Sequence, residues 1–322
     1  MLRFVLTAAA TALLVAGLAS AAVAQNPRSM TIGTASPGGA YFIYGGVVAT
    51  LLTEKTGIPV STQQTQGPNQ NILLVESKDI ELGMTTMGIA LQAWEGKEAW
   101  TQGKQMRNFR ALFPMYDTPF HFMVTERSGI KSVSEMANKR VGFGPKAGTP
   151  GTYFPLMFNA LGIKIEERYG TANDMASQLG DGLLDVFAFA AGVPIPAFSE
   201  MEAQRPTRFI TFSAAEIATM KGKMPELSDS VIPKATYKAM TEDHKTVGLY
   251  NFGIAHKDMP ADVAYNVMKS VLENNAQMVK GFAAAKETIV ENWSRNGFLP
   301  FHPGAVRYLE EKGVKVPDKL KM

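Results

Sequence analysis

The sequence predicts an α/β protein built from two lobes that enclose a small ligand. Strand-like and helix-like segments alternate along the chain, which is typical of α/β folds. A glycine-rich loop, Gly33–Gly45, follows a short apolar strand and leads into a helix, and a similar unit recurs at 140–162. One such loop in each half indicates two lobes, and a length of 322 residues suits two lobes better than one core.

The first 24 residues have the pattern of a cleavable export signal. Arg3 supplies the positive charge, the run from Phe4 to Leu18 is apolar, and residues 22–24 have the small-x-small pattern of a cleavage site. We expect cleavage after Ala24 and an exported mature protein that starts at Gln25. The sequence contains no cysteine, so neither disulfides nor thiol catalysis are expected.

Composition argues against several classes of function. The formal net charge is only +3 and the charged residues are interspersed, which argues against a nucleic-acid surface. The four histidines are scattered and show no metal-ligand spacing. The sequence also has no G-x-S-x-G elbow, no P-loop lysine motif and no paired-carboxylate motif. We therefore expect no enzyme activity, no metal and no cofactor.

The order of elements predicts where the chain passes between lobes. Two extended runs, 109–116 and 120–126, are split by Asp117-Thr118-Pro119, and we expect the first crossing here. Further expectations are a helix over 132–139, a buried strand within 183–192, and one long amphipathic helix over 261–282. The predicted organisation is a signal peptide at 1–24, lobe 1 at 25–124, lobe 2 at 125–245 and a return to lobe 1 at 246–322.

Six segments, in their order and spacing, resemble a known family. They are GTASPGGAYFIYG, GPNQNI, GMTTMGIALQAWEG, SGIKSVSEMANKRVGFG, LGDGLLDVFAFAAGVPIPA and FHPGAVRYLEEKG. Together they make the chain similar to the TAXI-type solute-binding proteins of TRAP (tripartite ATP-independent periplasmic) transporters. The similarity covers nearly the whole mature chain.

The resemblance implies a two-lobed periplasmic binding protein of type II, with its ligand cleft between the lobes. It implies a monomeric receptor that captures a small carboxylate and delivers it to a membrane permease driven by an ion gradient. A ligand-sensing protein that presents its bound state to a sensor kinase is the alternative, and the sequence does not separate the two.

Four residues of the first loop are candidate ligand contacts: Ser36, Gly38, Gly39 and Tyr41. Glycines admit the ligand close to the backbone, free N–H groups at the helix start favour an anion, and Tyr41 adds a hydroxyl and an aromatic wall. The competing interpretation is a tight strand-to-helix turn with a packed tyrosine. The ligand-cradle interpretation predicts that Tyr41→Ala weakens binding and leaves the fold intact.

Three candidates follow in the first half of the chain. Asn71 matches the asparagine of the family's GSVEN-like turn, and we expect it either to contact the ligand or to cap a helix. Thr86 and Met87, with Gly88, stand where relatives often carry Gln-Ser-Asp, at a strand end that should face the cleft. The exchange removes a carboxylate that would bind an amino group, which favours a ligand without one.

The second loop allows two registers against the family's Ser-Gly-Thr pattern, 147–149 or 150–152. Gly148 and Thr149 are the candidates in the first register, and Thr152 is the candidate in the second. Gly192 follows the buried strand and serves either as a ligand contact or as a structural turn. Tyr116, beside the expected crossing, is a candidate for closing the pocket.

Overall fold

The computed structural model describes residues 27–321, which fold into a mixed α/β architecture of two lobes. The expected export signal and its cleavage site lie outside the described residues. Within them, no helix is both long enough and apolar enough to cross a bilayer.

The strands of the described chain form one curled sheet. They are β1 (Met30–Gly33), β2 (Val60–Gln63), β3 (Leu82–Thr86), β4 (Phe109–Thr125), β5 (Arg140–Phe143), β6 (Glu166–Tyr169), β7 (Val186–Ala190), β8 (Thr207–Ile210), β9 (Ser228–Ile232) and β10 (His244–His256). Their order is β2-β1-β3-β10-β4-β7-β5-β6, while β8 pairs with β4 and β9 pairs with β10.

Helices connect most of these strands and cover the sheet. The α-helices are α1 (Ala40–Thr56), α2 (Pro68–Glu76), α3 (Met87–Glu95), α4 (Thr149–Ala160), α5 (Ala172–Gly180), α6 (Pro196–Gln204), α7 (Ala214–Lys223), α8 (Ala261–Glu273), α9 (Asn275–Gly281) and α10 (Pro303–Glu311). They leave one continuous apolar core, which is rich in phenylalanine in the second lobe.

Each lobe is organised around parallel strands. In the first lobe β1 lies between β2 and β3, and all three run parallel. In the second lobe β5 lies parallel between β6 and β7. Because parallel strands end at the same edge of a sheet, the loops that follow them gather there, where ligands of open α/β sheets bind.

Two long strands, β4 and β10, join the lobes. The first part of β4 pairs with β10 as far as Pro119, and from Phe120 onwards β4 pairs with β7. The expectation of two separate runs is therefore wrong, because β4 is continuous through Asp117-Thr118-Pro119. Pro119 lies where the partner strand of β4 changes from β10 to β7. The N–H that proline lacks is therefore not needed for a continuous series of hydrogen bonds to one partner strand.

Two other expected helices also differ from the structure. The segment 132–139 forms only a 3₁₀ turn, Ser134–Met136, because Asn138 adopts a left-handed φ of 59° and ends it. The expected helix over 261–282 breaks at Asn274 into α8 and α9. The Asn274 side chain donates to the carbonyl of Ser270 at 2.8 Å, which satisfies the end of α8 locally.

Candidate functional site

A small cavity lies between the lobes, at the carboxyl ends of parallel strands from both. Its volume is about 40 Å³. The lining comprises Ala35, Ser36, Gly39, Ala40, Tyr41, Gln66, Gly67, Pro68, Thr86, Thr118, Pro145, Gly148, Thr149, Pro150, Phe189, Ala190, Ala191 and Asn251. The segments after β1, β2, β3, β5 and β7 all contribute, so the cavity belongs to both lobes.

Four helices, α1 to α4, begin at this cavity. Their N-cap residues are Gly39, Gly67, Thr86 and Gly148, and none of these caps makes a side-chain hydrogen bond to its helix. Away from the cavity, α5 and α7 have complete capping boxes at Thr171 and Ser213, while α6 and α8 also lack a side-chain cap. Helix N-termini carry partial positive charge, so four of them together favour an anion. The first turn of α2 adds few free donors, because Pro68 has no N–H and the N–H of Asn69 donates to the carbonyl of Ala147 at 3.3 Å.

Several donors at the cavity have no acceptor within residues 27–321. The backbone N–H groups of Ala40, Tyr41 and Thr149 make no hydrogen bond there. The side chain of Ser36 is 3% exposed, lines the cavity and also makes no hydrogen bond with the described residues. Free donors gathered at one cavity at helix N-termini suit a ligand with acceptor atoms.

Tyr41 is linked to both crossing strands by hydrogen bonds. Its hydroxyl donates to Oδ1 of Asn251 on β10 at 2.6 Å, and Nδ2 of Asn251 donates to Oγ1 of Thr118 on β4 at 2.6 Å. Burial raises the pKa of Tyr41, so its hydroxyl stays protonated and neutral. The sequence interpretation missed Asn251 and Thr118. An isolated amide within the apolar strand GLYNFGIA was the only local signal.

A pair of threonine hydroxyls connects the lobes at the cavity. Oγ1 of Thr86, before α3, lies 3.1 Å from Oγ1 of Thr149, at the start of α4. The helix α4 begins at Thr149 with Gly148 as N-cap, and the lining contains Gly148, Thr149 and Pro150. The register of this loop against the family pattern stays a prediction. Thr152 lies within α4 and is not part of the lining.

Six of the candidate residues line the cavity and six do not. The lining includes Ser36, Gly39, Tyr41, Thr86, Gly148 and Thr149. The other six are Gly38, Asn71, Met87, Thr152, Gly192 and Tyr116, which lie outside the lining among the described residues. For the first group, ligand contact stays a prediction.

Gly38 instead allows close packing between the lobes. It has a φ of +84°, and a Cβ placed on it would lie 2.1 Å from Oδ1 of Asn173, on α5 of the second lobe. Its carbonyl also accepts a hydrogen bond from the N–H of Ala197 at 3.2 Å. Glycine is required here because of both the left-handed backbone and the short distance.

Asn71 is an internal structural residue and is not the cap of α2, whose N-cap is Gly67. Its side chain is fully buried, and Nδ2 donates to the carbonyls of Thr34 at 2.9 Å and Met84 at 3.0 Å. Its Oδ1 accepts from Thr65 at 2.8 Å. These bonds connect the ends of β1 and β3. Asn71 therefore holds in place the segments that line the cavity without lining the cavity itself.

Tyr116 and Gly192 pack behind Tyr41. The Tyr116 ring is fully buried, and its centroid lies 6.5 Å from that of Tyr41 and 5.1 Å from that of Tyr44. A Cβ on Gly192 would lie 2.5 Å from the Tyr116 ring. Both candidates therefore shape the wall that supports Tyr41.

The expected result for Tyr41→Ala needs correction, because Tyr41 is 8% exposed and part of the core. Removing a buried aromatic ring costs about 3–5 kcal/mol of stability, so alanine perturbs the fold as well as binding. Tyr41→Phe is the sharper variant, since it removes only the hydroxyl and leaves Oδ1 of Asn251 without its donor. With propionate as a probe for the small carboxylate that the family resemblance implies, we expect a three- to tenfold loss of affinity in calorimetry, matching about 1 kcal/mol for one hydrogen bond. An unchanged affinity would remove Tyr41 from the binding site.

The described residues contain no group of three or more His, Cys, Asp or Glu side chains placed to hold a metal. His121, which lies on β4, is fully buried, and burial lowers its pKa to about 3. It is therefore neutral at physiological pH, packed against Phe198 and Tyr237.

Comparison with solved structures identifies the fold of this chain. The fold is that of the periplasmic solute-binding proteins. The periplasmic binding protein BugD matches with a TM-score of 0.57 at 12% identity, over 88% of this chain and 94% of BugD. PhnD1 from Prochlorococcus marinus, solved with methylphosphonate, matches with a TM-score of 0.52 at 12% identity, over 81% and 92%. The GluR0 ligand-binding core, solved with L-glutamate, matches with a TM-score of 0.50 at 9% identity, over 81% and 100%.

The family follows from the sequence profile. Residues 32–313 match the sequence profile of the NMT1-like family, so this chain belongs to that family. The match spans both lobes and every segment that lines the cavity.

Proposed function

We propose that this protein is a periplasmic receptor that captures a small organic anion, a carboxylate, between its two lobes. The observation that carries the proposal is the interlobar cavity at which α1 to α4 begin without side-chain caps. Main-chain N–H groups from both lobes supply the donors for a carboxylate, and lobe closure excludes water and strengthens these contacts.

The proposed route of the ligand is delivery to a TRAP-type membrane permease driven by an ion gradient. The ordered TAXI-like segments described above support this assignment. The solved proteins of this fold that hold methylphosphonate and L-glutamate support the capture of small anionic molecules by this architecture. We further propose that the receptor works as a monomer in the periplasm, without a cofactor and without catalysis.

A thermal-shift screen tests the capture of a carboxylate. The mature chain from Gln25 is heated with mono-, di- and amino-carboxylates and with uncharged amides of matched size. At a concentration 100 times its Kd, a ligand stabilises the folded state by about 2.7 kcal/mol. We therefore expect at least one carboxylate to raise the melting temperature by several degrees while its amide does not. If no carboxylate does so, or an uncharged compound alone does, the proposal is wrong.

Delivery is tested by uptake of the bound acid into cells with and without the gene for this chain. We expect uptake to require the chain, to stop when an uncoupler removes ion gradients and to resist depletion of ATP. Unchanged uptake in the deletion strain, with loss of a transcriptional response to the acid, would favour the sensor alternative. Recovery of the acid unchanged after incubation with the protein checks the absence of catalysis.

A further inference from the structure

The cavity has hydrogen-bond donors but no charged side chain. Within residues 27–321, its lining contains no lysine, arginine, histidine, aspartate or glutamate. We propose that the ligand is a short monocarboxylate whose polar atoms are all hydrogen-bond acceptors, with neither an ammonium group nor a second acidic group. This inference rests on the proposed function and names the class of carboxylate that the same cavity takes.

Side-chain donors join the free main-chain N–H groups. The Ser36 hydroxyl, which has no partner in the described chain, lies in the cavity lining in the loop before α1. Oγ1 of Thr118 accepts from Asn251, and its own hydrogen is donated to no acceptor within residues 27–321. In the Thr86–Thr149 pair one hydroxyl donates to the other, which leaves one hydrogen for the ligand. All these groups offer hydrogens, and a carboxylate or a keto oxygen accepts them.

An ammonium group would find no carboxylate in this lining. The acid next to the lining in sequence, Asp117, accepts from the Ser230 hydroxyl and from the N–H of Thr118, and is not part of the lining. The side-chain oxygen of Asn251 already accepts from Tyr41. A buried ammonium without a counter-charge is strongly unfavourable, so an amino acid is disfavoured.

A second acidic group would likewise be buried without a cation. The basic residue next to the lining in sequence, Lys146, is exposed, and its Nζ lies 5.9 Å from the ring centroid of Tyr169. The helix N-termini supply only partial charges, enough for one carboxylate held by hydrogen bonds. A dicarboxylate is therefore disfavoured for the same reason as an amino acid.

The remaining wall is apolar and the space is small. Phe189, Ala190 and Ala191 from the end of β7, with Pro145 and Pro150 around α4, face the donors. A cavity of about 40 Å³ holds roughly three water molecules, so it favours a short-chain acid over a long-chain one. The carboxylate then lies at the helix N-termini and the short tail packs against the Phe189 wall.

Five compounds with the same number of carbons, three, separate these requirements. Propionate and pyruvate have only acceptor atoms, alanine adds an ammonium group, malonate adds a second carboxylate, and propionamide removes the charge. We expect calorimetry at pH 7.5 to show propionate or pyruvate binding at least tenfold more tightly than the other three. In a chain series from acetate to octanoate, we expect affinity to fall beyond butyrate.

Alanine or malonate binding as tightly as propionate would overturn this inference and leave the proposed function standing. Octanoate binding more tightly than butyrate would overturn the size limit. If no organic anion of any class binds, the proposed function itself fails together with this inference.

Ser36→Ala tests whether the acids bind at this cavity. It deletes one donor that has no structural partner, so we expect an unchanged melting temperature without ligand and about a tenfold loss of propionate affinity. Ser294→Ala, at an exposed serine in the last part of the chain, is the matched control and should leave both unchanged. Equal propionate affinity in Ser36→Ala and Ser294→Ala would place the acid elsewhere.

Discussion

Gly88→Ala should weaken propionate binding by at least tenfold, because it obstructs closure of the lobes. Gly88 is the second residue of α3, and a Cβ on it would lie 2.2 Å from the hydroxyl oxygen of Tyr153 on α4. Tyr153 is fully buried, and its hydroxyl donates to Glu226 at 2.9 Å, so the ring is held in place. Alanine forces the two helices apart and opens the neighbouring cavity.

Calorimetry with propionate measures the loss, and small-angle scattering reports whether the lobes separate. A tenfold loss corresponds to about 1.4 kcal/mol. Gly46→Ala is the matched control, since it lies in α1 and a Cβ there meets nothing within 4 Å. The control should bind as the natural chain does. A Gly88→Ala protein with unchanged propionate affinity and unchanged scattering would show that propionate binding and lobe closure do not need the close packing of α3 on α4.

Asn71→Ala should reduce the free energy of unfolding by about 2 kcal/mol or more. The substitution removes the Asn71 donor from the buried carbonyls of Met84 and Thr34. The Thr34 carbonyl keeps the Thr65 hydroxyl as a donor at 2.8 Å, so the Met84 carbonyl is the group that loses its side-chain partner. Each orphaned buried group costs about 1–3 kcal/mol. The ends of β1 and β3 lose their connection, so we expect a general loss of stability.

Urea unfolding at pH 7.5 without ligand measures this loss. Leu73→Ala, on the same helix at a residue that is 45% exposed, is the control and should change stability by no more than about 0.5 kcal/mol. An Asn71→Ala protein as stable as the control, but with reduced propionate affinity, would contradict the structural role and favour direct ligand contact.

The sequence predicted the part of the site that is local in the chain. Ser36, Gly39 and Tyr41 were recognisable because a strand, a glycine-rich turn and a helix start follow one another within a few residues. The same logic located Gly148 and Thr149, although two registers remained open. The structure adds that Gly148 and Thr149 line the cavity where α4 begins, and the register against the family pattern stays a prediction.

Residues whose position depends on the packing of several elements were harder to assign. Asn71 matched a family turn, yet it is an internal clamp because Thr34, Thr65 and Met84 surround it. The helix expected over 261–282 was predicted from the spacing of its apolar residues. That spacing contains no information on the Asn274 side chain, which bonds the carbonyl of Ser270 where α8 ends.

The sequence by itself determined the alternation of strands and helices, the two glycine-rich loops and the similarity to solute-binding proteins, because these follow from short-range patterns of residue type. Tertiary structure alone decided that Asn251 and Thr118 border the cavity. The Tyr41–Asn251 hydrogen bond spans 210 residues of sequence. Hydrogen bonds of this kind form where the crossing strands β4 and β10 lie next to the N-termini of the helices. The spacing of apolar residues along the chain does not predict which distant residues come together there.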